Sequence, residues 1–545
     1  MFNFENLDFK TLQMNKYFII LYFCNIITIE SLMSQTPEIK WWFDTKSFCA
    51  GQSAASDIDG DGKYEIVFGC YRNDGGIYAL NAEDGTLLWS YYPHNPASEG
   101  CNDSAPTIYD IDSDGNMEVI FASSCTDKTI CLDGKTGVLK WSAKSRGSDS
   151  PPTIADLDND GKPEILHGEF GGWVRCLNGE DGTFAWELPV DLNSWIQTAP
   201  TIVDLNSDGQ LDFVVGTWNF NKRDSIYAFD GKTRNRLWTL PVHNWMYHGT
   251  AIADFDEDGN PELLIGSYND TLYCINGENG TIDWKYRAGG SAIACPVSLG
   301  DVDNDGDCDV ILTSYYKVIC LNNKGKLKWQ YNLPDFSYNF RGAFLSDINN
   351  DEFTDVLLGT YSGNFIVLDG KNGNLISEIN LLEHYGKSIF DIDHAPIVAD
   401  FDGDGNLDAF VVGGYGVSSP TIENNYGRAY MLSIGKGNGP EWLMFQHDIR
   451  RQSSLCYSYE NSNAIFSNQV SENLDIFPNP ANDIISLNIE CDKIVIYDIF
   501  GHLVKSQTYI AHQNIDISEL SDGLYLLITI KNNVQTGNSK FIIDK

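Results

Sequence analysis

Eight copies of one short acidic pattern, D-x-[DN]-x-[DN] with a further acid at its ninth position, recur along the chain at intervals of 46 to 53 residues. They begin at Asp57, Asp110, Asp156, Asp204, Asp254, Asp301, Asp347 and Asp400. A pattern repeated at such a period marks one supersecondary unit used again and again, as in propellers and solenoids. The fifth copy shows the unit. Thr250 to Ala253 leads into the loop, Glu262 to Ile265 leaves it, Thr271 to Ile275 follows a polar turn, and Ile282 to Tyr286 follows Asn279-Gly280. Each run is short, β-rich and bounded by turn residues, which predicts four antiparallel strands per unit, whereas a two-strand solenoid coil is shorter. The expected fold class is all-β: an eight-bladed β-propeller with calcium loops, followed by a small C-terminal β-sandwich.

The calcium expectation comes from the loop chemistry. Asp57, Asp59, Asp61 and Glu65 converge in the first copy, and Gly62 permits the sharp turn between them. Four hard oxygen ligands in one loop suit calcium. An EF-hand needs a Glu at position 12 and flanking helices, but position 12 is Phe68 and the flanks are apolar and β-branched. The same roles fall to Asp110, Asp112, Asp114 and Glu118, to Asp156, Asp158, Asp160 and Glu164, and to Asp254, Asp256, Asp258 and Glu262. Asp301, Asp303, Asp305 and Asp309 form the sixth set, and Asp400, Asp402, Asp404 and Asp408 the eighth. In the fourth, Asp204, Asn206, Asp208 and Asp212, one carboxylate gives way to an amide. The seventh, Asp347, Asn349, Asp351 and Asp355, also has Glu352 where the others have glycine, and is expected to be weak.

A formal charge of −40, from 76 acidic and 36 basic residues, argues against nucleic-acid partners. Near the N-terminus, Met14-Asn-Lys16 precedes an apolar run from Tyr17 to Ile29, with Leu32-Met-Ser34 as a cleavage site. Residues 1–34 read as a secretory signal peptide whose true start is Met14, and no segment is long enough to predict a transmembrane span. In an exported chain, Cys49 and Cys70 flank the first loop and Cys101 and Cys125 the second, which makes each couple a candidate disulfide. Cys131, Cys176, Cys274 and Cys320 share one strand position with Ala79 and read as small core residues.

Trp89, Trp141, Trp186, Trp238, Trp284 and Trp329 recur on the fourth strand and are expected to pack between blades. The eighth repeat lacks a clear fourth strand. Either Glu38 to Phe43 or Glu441 to Phe445 is expected to supply it and hide the sheet edge. If the acidic loops lie on one face, the other holds the connections between strands 2 and 3 and between repeats. Those connections are rich in aromatics: Trp195, Trp218, His243, Trp245, Tyr247, His248, Tyr268, Tyr338 and Arg341 form the expected ligand face. Flat aromatic surfaces stack on sugars or anchor protein partners, and loops of this kind also pack on one another as a cap.

These loops resemble the FG-GAP and VCBS repeats of integrin-α-type propellers over residues 38–455, and Ile77 to Trp89 is similar to repeats of quinoprotein-like propellers. The resemblance implies that a position-seven carbonyl, such as that of Lys63, joins the carboxylates around calcium. After a Ser- and Asn-rich linker at 456–472, the motifs Leu474 to Ala481, Val495 to Gly501, Ile515 to Leu520 and Gly523 to Thr529 predict a small β-sandwich. Residues 473–545 closely resemble the C-terminal sorting domain of the type IX secretion system, which implies that machinery as a partner and a secreted or outer-membrane surface location. The expected function is adhesion, or binding of a glycan or surface protein. The alternative is a calcium-dependent, rhamnogalacturonan-lyase-like polysaccharide lyase, for which no catalytic residue is identified.

Overall fold

The computed structural model describes residues 36–457, except 50, 94–99, 222, 291 and 418–420, and most of residues 476–545. The expected signal peptide lies outside the described residues, among which no helix is long and apolar enough to cross a membrane. The chain forms two compact units divided after Ser458.

Among the described residues of the first unit, eight four-stranded antiparallel sheets follow one another. In the fifth sheet the strands are Ala251–Ala253, Glu262–Ser267, Thr271–Asn276 and Ile282–Arg287, paired in that order. The innermost strand of the first sheet packs beside those of both the second and the eighth, so the series closes on itself. The first two strands of each sheet are almost entirely buried because other sheets cover both faces, and they read as largely apolar runs. Only the outermost strands alternate, as in Ile282–Arg287.

Closure uses Glu38–Thr45, which pairs antiparallel with Tyr426–Gly435 as the fourth strand of the eighth sheet. Trp41 Nε1 of that strand donates to Ala82 O of the first sheet at 2.9 Å. Four other outer-strand tryptophans make the same contact with the next sheet, Trp89 to Gly134 O, Trp238 to Gly277 O, Trp284 to Asn323 O and Trp329 to Gly370 O, at 2.6, 2.7, 3.0 and 2.6 Å, whereas Trp141 Nε1 is buried without a hydrogen-bond partner. Across the strand pair, Cys131, Cys176, Cys274, Cys320 and Ala79 face Trp141, Trp186, Trp284, Trp329 and Trp89. A small residue there leaves room for the indole. The four cysteines are buried free thiols.

The second candidate for the clasp has a different place. Residues 438–457 cross the axis and bond the edges of the innermost strands in turn. Trp442 exchanges bonds with Val398, Ala55 N donates to Leu443 O, Ile154 N to Ile449 O, Ile202 N to Arg450 O, Ile252 N to Gln452 O, and Leu299 N to Ser453 O. Edges that face a channel are thereby paired. A disulfide between Cys308 and Cys456, 148 residues apart, fixes the end of this segment, a bond absent from the sequence expectations. Cys49 and Cys70 are joined as expected. Cys125 is disulfide-bonded, while the side chain of Cys101 lies outside the described residues.

The second unit contains a three-stranded and a four-stranded antiparallel sheet. Ile485, Ile494, Ile496, Ile515, Leu527 and Phe541 share its apolar core.

Candidate functional site

All eight acidic loops connect the first and second strands of a sheet and take one backbone form. The first Asp turns inward, and its Oδ2 accepts the amide of position six, as in Gly62 to Asp57 and Gly405 to Asp400, both at 3.0 Å. The position-six glycines have φ of 82° to 89°, a region that penalises a side chain. Glu352 holds this position in the seventh loop at φ 71° and still donates to Asp347 Oδ2 at 3.1 Å, so that loop keeps the shared form at the cost of backbone strain.

The ninth-position acid lies at the start of the second strand, and in six of the loops it reaches back to the amide of position two. Ile58 N donates to Glu65 at 2.9 Å, Leu157 N to Glu164 at 2.8 Å and Leu205 N to Asp212 at 3.0 Å. Carboxylate oxygens of Asp57, Asp59 and Asp61, of Asp156, Asp158 and Glu164, and of Asp254, Asp256 and Glu262 lie within 4.8 Å of one another. Burial first, and then the charges of the other loop acids, push Glu65, Glu164 and Glu262 up to about 7, against the lowering by the amide bond. Asp355 is pushed up to about 8 for the same reasons. Asp212 Oδ1 and Asp355 Oδ1 are buried without a hydrogen-bond partner. Crowded carboxylates with spare buried oxygens are a donor set that fits a hard divalent cation.

The expected ligand face separates into groups. Trp218 and Trp245 stack with centroids 4.5 Å apart and planes at 7°, and Tyr268 meets both edge-on. Tyr247 packs against Trp218 and Phe340. Trp195 pairs with Trp218 through the backbone, but its ring packs between Phe170 and Phe220. Tyr338 stacks on Tyr361 at 4.1 Å. His243 is exposed at φ 63°. Two expectations need correction. His248 and Arg341 are buried, at 6% exposure each, because their loops fold inward toward the axis rather than outward. His248 Nε2 lies 3.2 Å from Phe340 O, and burial keeps its ring neutral.

Sequence reasoning missed a group that these loops assemble. Four residues before the innermost strands stand Asp103, Asp149, Gln197, Tyr247, Ala294, Phe340 and Asp393. Gln197 Nε2 donates to Asp149 Oδ2 at 3.1 Å, and Arg341 Nε lies 3.5 Å from Asp393 Oδ1, with its guanidinium 5.5 Å from the Tyr247 ring. Burial, and then the adjacent Asp103, push Asp149 well above the ordinary carboxylate range. Gln197 Oε1 and both ring nitrogens of the fully buried His394 lack hydrogen-bond partners. Burial and then Arg341 hold His394 down to about 3. The missed signal was available: these positions are spaced by 46, 48, 50, 47, 46 and 53 residues, the intervals of the acidic loops from the second onward.

Family models match three parts of the chain: an FG-GAP-like repeat at residues 57–121 and 156–215, outer membrane protein assembly factor BamB at 222–442, and a secretion system C-terminal sorting domain at 475–544. No curated protein matches it by sequence. The V. cholerae biofilm matrix protein Bap1 is 17% identical, with a TM-score of 0.53 over 75% of this chain and 94% of that one. Quinohemoprotein alcohol dehydrogenase from Comamonas testosteroni is 14% identical, with a TM-score of 0.54 over 74% and 78%. Sqt1 of Saccharomyces cerevisiae is 12% identical, with a TM-score of 0.51 over 74% and 99%. At these identities the likeness is one of fold, a propeller-like array of four-stranded sheets. The chain thus carries FG-GAP-like and BamB-like repeat regions ahead of a type IX secretion sorting domain, and is an exported protein, secreted or held at the cell surface.

Proposed function

We propose that the chain is an adhesion protein: an eight-bladed propeller with calcium in its acidic loops, whose opposite face binds a glycan or a surface protein. The type IX machinery delivers it by way of residues 473–545, a β-sandwich, after removal of a signal peptide. The observation that carries the binding role is the half-buried stack of Trp218 on Trp245, edged by Tyr268, on the face away from the acidic loops. Planar indoles that keep part of their surface in water offer stacking area at low entropic cost. The fold shared with a biofilm matrix protein agrees with such a role. In the loops, the carboxylates at positions one, three, five and nine would hold the ion, which when bound neutralises them and ties the first strand to the second.

A glycan and polysaccharide array, read with and without chelator, tests the proposal. Saturable binding that falls at least tenfold in Trp218→Ala and Trp245→Ala is expected. Binding unchanged in both variants removes this face from the function.

One observation favours a second reading, a polysaccharide lyase. Asp149, pushed above the ordinary carboxylate range by burial and then by Asp103, bonds Gln197 in the cluster that also holds the Arg341–Asp393 pair, a set of acids and a cation suited to proton transfer next to an anionic sugar. A rise in ultraviolet absorbance on pectic substrates, lost in Asp149→Asn, would mark that reaction.

A further inference from the structure

The eight loops differ in one residue outside them, the one before the outer-strand tryptophan. In the second, sixth and eighth sheets it is lysine, and its ammonium sits among the acids of its own sheet's loop. Lys140 Nζ lies 2.7 Å from Asp112 Oδ2, 2.7 Å from Glu118 Oε1 and 3.9 Å from Asp114 Oδ2. Lys328 Nζ lies 2.7, 3.5 and 2.8 Å from Oδ2 of Asp303, Asp305 and Asp309. Lys40 pairs with Asp402 and lies 3.2 Å from Asp404 and 3.3 Å from Asp408. In each case the acids touched are those at positions three, five and nine.

Elsewhere this position holds Leu88, Ala185, Leu237, Asp283 and Ile376. The consequence shows at the ninth acid. Asp309 accepts from Lys328 at 2.9 Å through Oδ1 and 2.8 Å through Oδ2. Asp212 and Asp355, whose sheets carry Leu237 and Ile376, each keep a buried oxygen with neither a hydrogen-bond partner nor an ion pair among the described residues, whereas Asp408 Oδ1, also without a hydrogen bond, lies 3.3 Å from Lys40 Nζ. In the fifth sheet the same register place holds an acid, Asp283.

We propose that Lys40, Lys140 and Lys328 are built-in counter-ions that replace the divalent cation in the second, sixth and eighth loops. The argument is one of shared space. A calcium ion needs these oxygens at about 2.3 to 2.6 Å, and an ammonium already hydrogen-bonded to them leaves no room for it and repels it. Strand pairing fixes the origin of each lysine side chain, as Cys131 opposite Trp141 does for Lys140. Three sheets therefore hold their loops closed without metal, while the remaining five depend on it. The inference rests on the calcium reading only for those five.

Equilibrium dialysis of the full chain against calcium, after chelator treatment, tests it by stoichiometry. Lys40→Met/Lys140→Met/Lys328→Met is expected to bind three more ions per chain than the wild type, and each single variant one more. Equal, non-zero stoichiometry in the wild type and the lysine variants overturns the inference and leaves calcium binding standing. No binding by either overturns both. If the triple variant fails to fold, the single variants give the same answer.

Discussion

Arg451 is the largest fully buried charged side chain among the described residues, and its removal should cost the first unit about 3–5 kcal/mol. The side chain is fully buried. Its Nη1 donates to Phe445 O at 2.5 Å, and its Nη2 to Thr107 Oγ1 at 2.6 Å, to Pro106 O at 3.2 Å and to Pro152 O at 3.3 Å. Burial lowers its guanidinium to about 10, so it stays charged at neutral pH. Hydrogen bonds to a charged group contribute about 1.5–3 kcal/mol each, so these four are worth about 6–12 kcal/mol before the cost of burying the cation. That cost is several kcal/mol, and removing the side chain returns it, which leaves the net loss near the stated range.

Arg451→Met is the informative variant because it fills the volume without supplying donors. Arg451→Lys keeps the charge but reaches fewer acceptors, and should lose about half as much. Midpoints of urea unfolding, followed by tryptophan fluorescence, give the order wild type, Lys, Met. Limited proteolysis should cut Arg451→Met first within residues 438–457. An Arg451→Met protein within about 0.5 kcal/mol of wild type would refute the claim that this segment ties the innermost strands together.

The titration of the loops gives a second outcome. Glu65, Glu164 and Glu262 have values of about 7 folded against 4.5 for the free group. For these groups, stability of the metal-free protein is fully present below pH 4.5 and is lost as pH rises through about 7. Calcium requires the ionised forms, so the gain in melting temperature on adding it should be larger at pH 8 than at pH 5, and the reverse order would count against the loops as its site. At Gly325, φ 69°, an added Cβ would lie 2.5 Å from the Trp284 ring, whereas at Gly289, φ 71°, nothing lies within 4 Å. Gly325→Ala should lose about 2–5 kcal/mol from backbone strain and overlap together, and Gly289→Ala only about 1–2 kcal/mol; equal losses in unfolding experiments would deny the inter-sheet contact. Reducing Cys308–Cys456 opens a loop spanning 148 residues. By the chain-entropy relation this lowers stability by up to about 5 kcal/mol, and Cys456→Ser should melt lower than wild type and lose less on reduction, since only Cys49–Cys70 and the bond of Cys125 are then left to reduce.

What the sequence disclosed, and what it withheld, follows the periodicity of each feature. Acidic loops, outer-strand tryptophans and the small residue opposite each of them recur in register, so every copy corroborates the others, and the sheets can be drawn before any coordinates exist. The ring of Asp103, Asp149, Gln197, Tyr247 and Asp393 recurs in position but not in residue type, and a search for repeated chemistry passes over it. His248 and Arg341 were placed on the surface because loops usually run there, but those that end at the axis of a closed ring fold into its mouth, where neighbours from other sheets surround them. Lys40, Lys140 and Lys328 follow yet another rule. Each lies far in sequence from the start of the loop it fills, and its meaning appears only when the fourth strand is laid beside the first two.

The axial segment is the hardest case. It has no repeat, its residues are unlike one another, and what unites them is a row of backbone groups. Six or more innermost strands present unpaired edges to the axis, and any extended stretch able to reach across can satisfy them, so selection acts on length and on one anchor rather than on a pattern. Arg451 is that anchor, since only a guanidinium can address carbonyls on the second sheet, the third sheet and its own segment at once. A plugged axis also separates the two faces of the ring: the acidic loops, three of them bearing a lysine, repeat on one side, while the aromatic stack and the Asp-Arg cluster on the other differ from sheet to sheet.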